Sequence, residues 1–182
     1  MLRKKKGLTP FQRHAARWGG CTECLLRKNR ARVVLASGSI PCDVLFVGEA
    51  PGDSEDVVGV PFIGPAGRLL DHVIEQAGLG DHRLALTNLV CCVPKDSGNI
   101  KGEPPKDAIL ACRPRLEDFI SICGPRLIIC VGSLSQRWTP DDGTPMVGII
   151  HPAAILRMDA SQRPLAIKRC VVTVADAITT YQ

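Results

Sequence analysis

Two loops of this 182-residue chain carry the residue types best suited to chemistry. The first follows the apolar residues 44–47 and presents Glu49 and Asp53 among glycines and prolines; the second presents Phe62 between a proline and an isoleucine–glycine pair. Small residues allow a ligand to approach the backbone closely, and an aromatic ring offers a flat surface for stacking. The layout predicts a chemical site just after a strand.

Three polar residues share this position in the sequence. Glu49, Asn88 and His151 each lie at or just after the end of an apolar run that predicts a strand. In α/β folds the carboxyl ends of parallel strands meet at one edge of the sheet, where ligands bind. We therefore expect these three side chains to contribute to one site.

The nine cysteines form a second group with possible chemistry. An odd number, with no apolar signal-peptide core after the basic N-terminus, favours metal ligation and buried thiols over a disulfide framework. Cys21 and Cys24 form a Cys-x-x-Cys pair, and Cys92 and Cys112 flank a polar loop. Neighbours in an extended chain point to opposite sides, so only one of Cys91 and Cys92 can join them, and Cys92 is preferred. Spacing alone allows either zinc or a [4Fe–4S] cluster.

Positive charge is concentrated at the start of the chain. Residues 1–32 hold ten of the 23 Lys and Arg residues but only one of the 18 acids. This asymmetry indicates a polyanionic partner, and Arg27 and Arg30, just behind the first cysteine pair, are candidate phosphate contacts. No long uncharged apolar run predicts a membrane span. We expect a cytoplasmic, monomeric protein with one domain over residues 1–182, beginning with a basic segment at 1–20.

The apolar pattern predicts strands that alternate with helices. Strands are predicted at 33–35, 44–47, 84–90, 127–131 and 147–150, and helices at 9–18, 68–77, 106–122 and 153–157. Residues 165–178 have helical character, but the β-prone run at 171–174 leaves their structure open. Residues 37–39 predict a turn, and residues 53–56 either present Asp53 as a second carboxylate or form a solvated acidic turn. The alternation implies an α/β fold, with a parallel sheet covered by helices on both faces.

With these motifs in place, the chain resembles the family 4 uracil-DNA glycosylases, the iron–sulfur members of their superfamily. The matching segments occur in the family's order over residues 21–157. They are Cys21-x-x-Cys24, Gly48-Glu49-Ala50-Pro51-Gly52, Gly59-Val60-Pro61-Phe62-Ile63-Gly64-x-Ala66-Gly67, Thr87-Asn88-Leu89-Val90-x-Cys92, Cys112 and His151-Pro152-Ala153-Ala154-Ile155-Leu156-Arg157.

The resemblance implies a three-layer α/β/α sandwich around a mainly parallel sheet of about four strands. It also implies removal of uracil from single- or double-stranded DNA. Asn88 would read uracil, Phe62 would stack on the flipped base, His151 would donate a hydrogen bond to uracil O2, and Glu49, with Asp53 as a second carboxylate, would act near C1′. Residues that would line the substrate site beside them are Gly48, Ala50 and Asn99.

The same resemblance assigns the remaining candidates. Ile155 and Leu156 would form a wedge that enters the base stack, while Arg157 meets a phosphate. It implies that Cys21, Cys24, Cys92 and Cys112 hold a [4Fe–4S] cluster with a structural role.

Other interpretations of these residues stay open. Asn88 could cap a strand end, Phe62 could anchor the core, and residues 155–157 could be the first turn of a packed helix. The altered loop at 93–100, and Ala50 where the best-known branch of the superfamily has Asp, allow a catalytically silent iron–sulfur DNA-binding relative. A zinc-bearing nucleotide-binding domain is the weakest alternative, because the chain has no Gly-x-x-x-x-Gly-Lys-Ser/Thr or Gly-x-Gly-x-x-Gly motif.

Overall fold

The computed structural model describes residues 7–95 and 103–181, which contain a five-stranded sheet. The strands are β1 (Ala36–Gly38), β2 (Val44–Gly48), β3 (Leu84–Asn88), β4 (Leu127–Val131) and β5 (Met146–Ile149). Their order across the sheet is β1-β3-β2-β4-β5. Only β1 runs antiparallel to its neighbour.

Helices cover both faces of this sheet. They are α1 (Pro10–Trp18), α2 (Asp53–Val58), α3 (Pro65–Gln76), α4 (Lys106–Cys123), α5 (Ser133–Trp138), α6 (Pro152–Arg157) and α7 (Arg163–Tyr181), with a 3₁₀ turn at Leu25–Lys28. The predicted α/β/α sandwich is confirmed, with five strands where about four were expected. No described helix combines the length and apolar character that a membrane span needs.

The central strands are buried on both faces, which explains their uninterrupted apolar sequence. Every residue of β2 and β4 is buried. Leu45 and Val47 pack with Phe119 and Leu116 of α4 on one face of the sheet. Phe46 packs on the other face, against side chains of α3, α6 and α7. Alternation along one strand therefore builds two cores, and the sheet lies between them.

Helix α1 is attached to α4 by a partly buried polar contact. Thr9 caps α1, and its side chain accepts a hydrogen bond from the backbone N–H of Gln12. His14 Nδ1 lies 2.7 Å from Asp118 Oδ2, and Trp18 Nε1 donates to the same oxygen at 3.1 Å. This contact holds α1 against α4.

Several boundaries differ from the sequence-based expectations. Residues 33–35 are not a strand; the first strand is β1, which includes two of the three residues predicted as a turn. The reason is tertiary, because β1 pairs antiparallel with β3. Residues 53–56 lie in α2 rather than in a solvated turn, and α5 had not been predicted.

Helix α7 resolves the conflict at residues 171–174 in favour of the helix. It runs without a break through the β-branched residues. Cys170 and Val174 are four positions apart, Ala177 and Ile178 follow Val174 by three and four positions, and all four form one buried stripe in the core. Burial of this stripe outweighs the weaker helix propensity of valine.

Candidate active site and cysteine pocket

A cleft of about 540 Å³ opens at the carboxyl edge of the parallel strands. Gly48 and Asn88 are register partners at the ends of β2 and β3. The cleft is lined by the predicted side chains of Glu49, Asn88 and His151 together with Phe62. The fold thus brings four of the candidate residues around one space.

Gly48 allows the Asn88 amide and the Phe62 ring to approach the same point of the backbone. A methyl group on its Cα would overlap Asn88 Oδ1 and would lie 2.5 Å from Phe62 Cζ. Only glycine allows both side chains to lie against this point of the backbone. The Asn88 amide and the Phe62 ring therefore both lie against Gly48 in the lining of the cleft.

The orientation of Phe62 is fixed by its backbone. Its φ of +59° lies in the left-handed region, which a bulky residue rarely adopts. Gly67 of α3 packs directly on the Phe62 carbonyl, and a Cβ there would collide with it. The loop and α3 together hold this unusual conformation, so the ring is placed by the fold.

Glu49 is half-buried in the cleft. Its Oε1 accepts a hydrogen bond from the Leu134 N–H at 3.3 Å. Burial raises the pKa of Glu49, and Glu103 also raises it, whereas the Leu134 N–H and Arg157 act in the opposite direction. The carboxylate is thus a stronger base than an exposed glutamate.

His151 stands at the N-cap of α6 with a defined tautomer. The Ala153 N–H donates to His151 Nδ1 at 3.1 Å, so Nδ1 is the acceptor and the proton of the neutral ring is on Nε2. Burial, with Arg157 in addition, lowers the pKa of His151 to about 4. Near neutral pH the ring is therefore an uncharged hydrogen-bond donor through Nε2.

Two acids that support the site were missed from the sequence. Glu55 is buried in α2 and accepts from the N–H groups of Gly52 at 3.1 Å and Gly64 at 2.9 Å. It joins the loop before α2 to the loop that carries Phe62. An acid at the third position of a helix that starts after a glycine is the capping signal that could have revealed it.

Asp56 connects α2 to residues 31 and 32, at the end of the base-rich stretch 1–32. It is fully buried and accepts from the N–H of Ala31 at 2.9 Å and from Arg32. Lys95 Nζ lies 2.8 Å from its Oδ2. Asp53, by contrast, is 83% exposed at the rim of the cleft, 4.0 Å from the same Nζ.

Glu103 is a further carboxylate that lines the cleft and was not singled out from the sequence. It follows the altered loop at residues 93–100. Asn99, expected at the substrate site, lies outside the described residues.

The predicted wedge at residues 155–157 is wrong in part. Ile155 is completely buried in the core formed with α3 and α7, so it is not available to enter a base stack. Leu156 is 37% exposed, and Arg157 lines the cleft. Leu156 is thus the apolar side chain that this turn leaves free.

The two basic candidates behind the first cysteine pair lie in different surroundings. Arg27 is exposed in the 3₁₀ turn. Arg30 is half-buried, and its Nη1 donates to Cys92 Sγ at 3.3 Å. Arg30 therefore faces the cysteines, which the sequence could not show.

The four predicted ligands line one pocket beside β3 and α4. They are Cys21, Cys24, Cys92 and Cys112, and all are free thiols. Cys91 also lines this pocket, but its Sγ donates to the Leu35 carbonyl at 3.9 Å. Within residues 7–95 and 103–181, no group of three or more His, Cys, Asp or Glu side chains is placed so that it could hold a metal ion.

The sequence is similar to a known superfamily and to several named relatives. The sequence model of the uracil DNA glycosylase superfamily matches residues 36–174. The type-4 uracil-DNA glycosylase of Thermotoga maritima is 30% identical over 154 residues, which cover 75% of this chain and 78% of that protein.

Two archaeal relatives are more similar over a shorter length. The type-4 uracil-DNA glycosylase of Saccharolobus solfataricus is 40% identical over 119 residues, 65% of this chain and 53% of that protein. The protein of the same name from Pyrobaculum aerophilum is 38% identical over 117 residues, 64% of this chain and 58% of that protein. The chain spans little more than half the length of these two relatives. With the superfamily match over most of its length and the bacterial relative covered over three quarters of both chains, this chain belongs to the type-4 uracil-DNA glycosylases.

Proposed function

We propose that this chain removes uracil from DNA by hydrolysing its N-glycosidic bond, which leaves an abasic site. The observation that carries the proposal is the cleft in which an amide, an aromatic ring, a neutral imidazole donor and a half-buried carboxylate surround one space. Each group matches one requirement of the reaction.

Asn88 is the proposed reader of the base. Its Oδ1 accepts from uracil N3–H, and its Nδ2 donates to O4; cytosine presents the opposite pattern at these two positions. Phe62 stacks on the base after it has left the duplex, and the backbone at Gly48 and Ala50 lies close to it. Recognition thus depends on hydrogen bonds that only one base can complete.

His151 is the proposed stabiliser of the leaving group. Breakage of the bond leaves negative charge on uracil O2, and the Nε2–H of a neutral imidazole donates to it. Its position, fixed by the Ala153 N–H, makes it a preorganised donor of the kind that stabilises developing anions.

Glu49 acts on the opposite side of the bond. Its carboxylate orients the attacking water and stabilises the positive sugar at C1′. The raised pKa favours acceptance of a proton from that water. Asp53 stands at the rim as a second carboxylate, and Asn99 remains a candidate for the substrate site.

DNA is held by groups around the cleft. Leu156 enters the stack in the place of the flipped base, and Arg157 and Arg27 contact phosphates. We propose uracil-containing DNA as the partner.

The cysteine pocket is proposed to hold a [4Fe–4S] cluster through Cys21, Cys24, Cys92 and Cys112. The donor set fits, since four free thiols line one pocket and Arg30 donates to Cys92 as it would to a thiolate. A cluster of this kind would take one thiolate on each of its irons, so its ligands would not need to converge on one point as the ligands of a single ion do. When bound, the cluster would cross-link the N-terminal segment, the segment after β3 and α4 at four points.

The test is cleavage of a labelled oligonucleotide that contains one deoxyuridine, followed by alkali to break abasic sites. Cluster-intact protein should cut at the uracil. Loss of the donor in His151→Ala should slow excision about 10²–10³-fold, the usual effect of removing one such donor. Asn88→Ala should also depress it, and His72→Ala, which alters an exposed histidine of α3, should not.

An oligonucleotide with cytosine in place of uracil serves as the substrate control and should stay intact. Absence of scission together with salt-sensitive DNA binding would replace the proposal by the silent DNA-binding relative. Scission that is unchanged in both variants would disprove the two assigned roles.

A further inference from the structure

Arg115 places a positive charge inside the core, between β3 and the cysteine pocket. It lies in the middle of α4 and is 1% exposed. Its Nη1 donates to Thr87 Oγ1 at 2.8 Å. Its Nη2 donates to the Leu89 carbonyl at 3.0 Å and to the Asn88 carbonyl. The guanidinium therefore hydrogen-bonds to the end of β3, the strand that carries Asn88.

The oxygen acceptors of Arg115 are neutral, and its further hydrogen-bond partner is the thiol of Cys112. None of the ion pairs among the described residues includes it. Its Nε–H is buried and has no hydrogen-bond partner. A buried cation without a counter-charge is strongly unfavourable, so the position of Arg115 beside Cys112 favours an anion in the cysteine pocket.

The cysteine pocket is where such an anion fits. Arg115 lines this pocket together with Cys112 and Cys92. Four thiolates outweigh the positive charge of a [4Fe–4S] core, so the bound group carries net negative charge. Arg30, whose N–H points to Cys92 Sγ, adds a second cation on the same group.

We infer that Arg115 is a positioning residue that links the cluster to uracil recognition. One part of the guanidinium balances the charge of the cluster, and the other fixes the carbonyls at residues 88 and 89, which sets the direction of the Asn88 side chain in the cleft. The inference rests on the proposed cluster and on the proposed role of Asn88. It gives the cluster an effect on base reading without any redox step.

The test compares two substitutions in the holoprotein. Arg115→Met removes the charge and keeps an unbranched chain, whereas Arg115→Lys keeps the charge but loses the two-pronged donor. Arg113→Met is the matched control, because Arg113 is exposed on the same helix and pairs with Glu117.

Three measurements separate charge from geometry. The rate at which an iron(II) chelator bleaches the absorption near 400 nm should rise about 10- to 100-fold in Arg115→Met, as for other groups that support a metal's ligands. The reduction potential of the cluster should become more negative, since a nearby cation favours the reduced form. Inhibition of DNA binding by free uracil should weaken.

Arg115→Lys should keep a potential close to that of the unchanged protein and still show weakened uracil inhibition. This variant keeps the inference testable if Arg115→Met fails to fold. Arg113→Met should match the unchanged protein in all three measurements.

The inference is overturned by an unchanged potential and bleaching rate in Arg115→Met, or by altered cluster properties with normal uracil inhibition in both variants. Purification without iron would overturn it as well. A protein that binds iron and uracil but fails to excise would contradict the proposed activity alone, since none of these readouts needs turnover.

Discussion

At the scale of single residues, the two ionisable groups of the cleft are shifted in opposite directions by burial. The pKa of Glu49 is raised, and that of His151 is lowered to about 4. Burial disfavours the charged form of both groups. It therefore favours the protonated carboxyl of Glu49 and the neutral imidazole of His151. At a pH above both pKa values Glu49 is ionised and His151 is uncharged, as the proposed reaction requires.

The first prediction concerns pH. The kcat/KM for uracil excision should fall as pH falls through the raised pKa of Glu49, above the ordinary carboxyl value of about 4.3. His151 should not add a second decrease of kcat/KM in this pH range, because it is already neutral above a pH of about 4. The measurement is a pH series of single-deoxyuridine cleavage.

The matched variant is Glu49→Gln, whose residual rate should show no such limb. A limb that persists in Glu49→Gln would assign the titration to another group.

The second prediction concerns Gly48. Gly48→Ala should reduce uracil excision sharply, because the new methyl group displaces the Asn88 amide or the Phe62 ring. Free-uracil inhibition and excision are measured side by side. Gly80→Ala, at a glycine with open space around it, should leave both unchanged. Normal excision by Gly48→Ala would show that the two side chains do not need their present contact.

At the scale of elements, the sequence predicted the strands whose burial is visible as an uninterrupted apolar run. The apolar runs at β2 and β4 identify strands buried on both faces, and their ends identify Glu49 and, by the same logic, Asn88 and His151. Helices α2 and α5 were missed, because each has six residues and depends on contacts from distant segments. The sequence also did not predict that the Arg30 side chain points to the cysteines or that Glu55 is buried, because both depend on contacts from distant segments.

The third prediction concerns the brace formed by Glu55. Glu55→Ala should lower the free energy of unfolding by about 1–3 kcal/mol, since it leaves the Gly52 and Gly64 N–H groups without their partner. Urea denaturation measures the change, and Glu75→Ala, an exposed acid of α3, is the control. Equal stability of the two variants would contradict the brace.

At the scale of the whole molecule, a buried acid attaches residues 31 and 32, at the end of the base-rich stretch 1–32, to helix α2 beside the cleft. Asp56 accepts hydrogen bonds from residues 31 and 32 and thereby holds the chain that follows the exposed Arg27 next to α2. The charge asymmetry in the sequence predicted a polyanion-binding face. It could not show which arginines face outward, because that depends on the cysteine pocket.

The fourth prediction concerns salt. Arg27→Gln should weaken binding to duplex DNA and reduce the slope of log K against log salt concentration by about 0.9, the value for one lost phosphate contact. Arg83→Gln, at the opposite edge of the sheet and paired with Asp43, should keep the slope. A slope that is equal in both variants would remove Arg27 from the interface.

The left-handed backbone at Phe62 has an entropic consequence for the binding of the base. The loop and Gly67 hold the ring in place before any ligand arrives, so its conformational freedom is lost during folding rather than on association. Association with a base then orders fewer groups and keeps more of its interaction energy as affinity. The same rigidity applies after the bond breaks, so the free base meets an equally well-formed surface, and its departure becomes a step that can limit turnover.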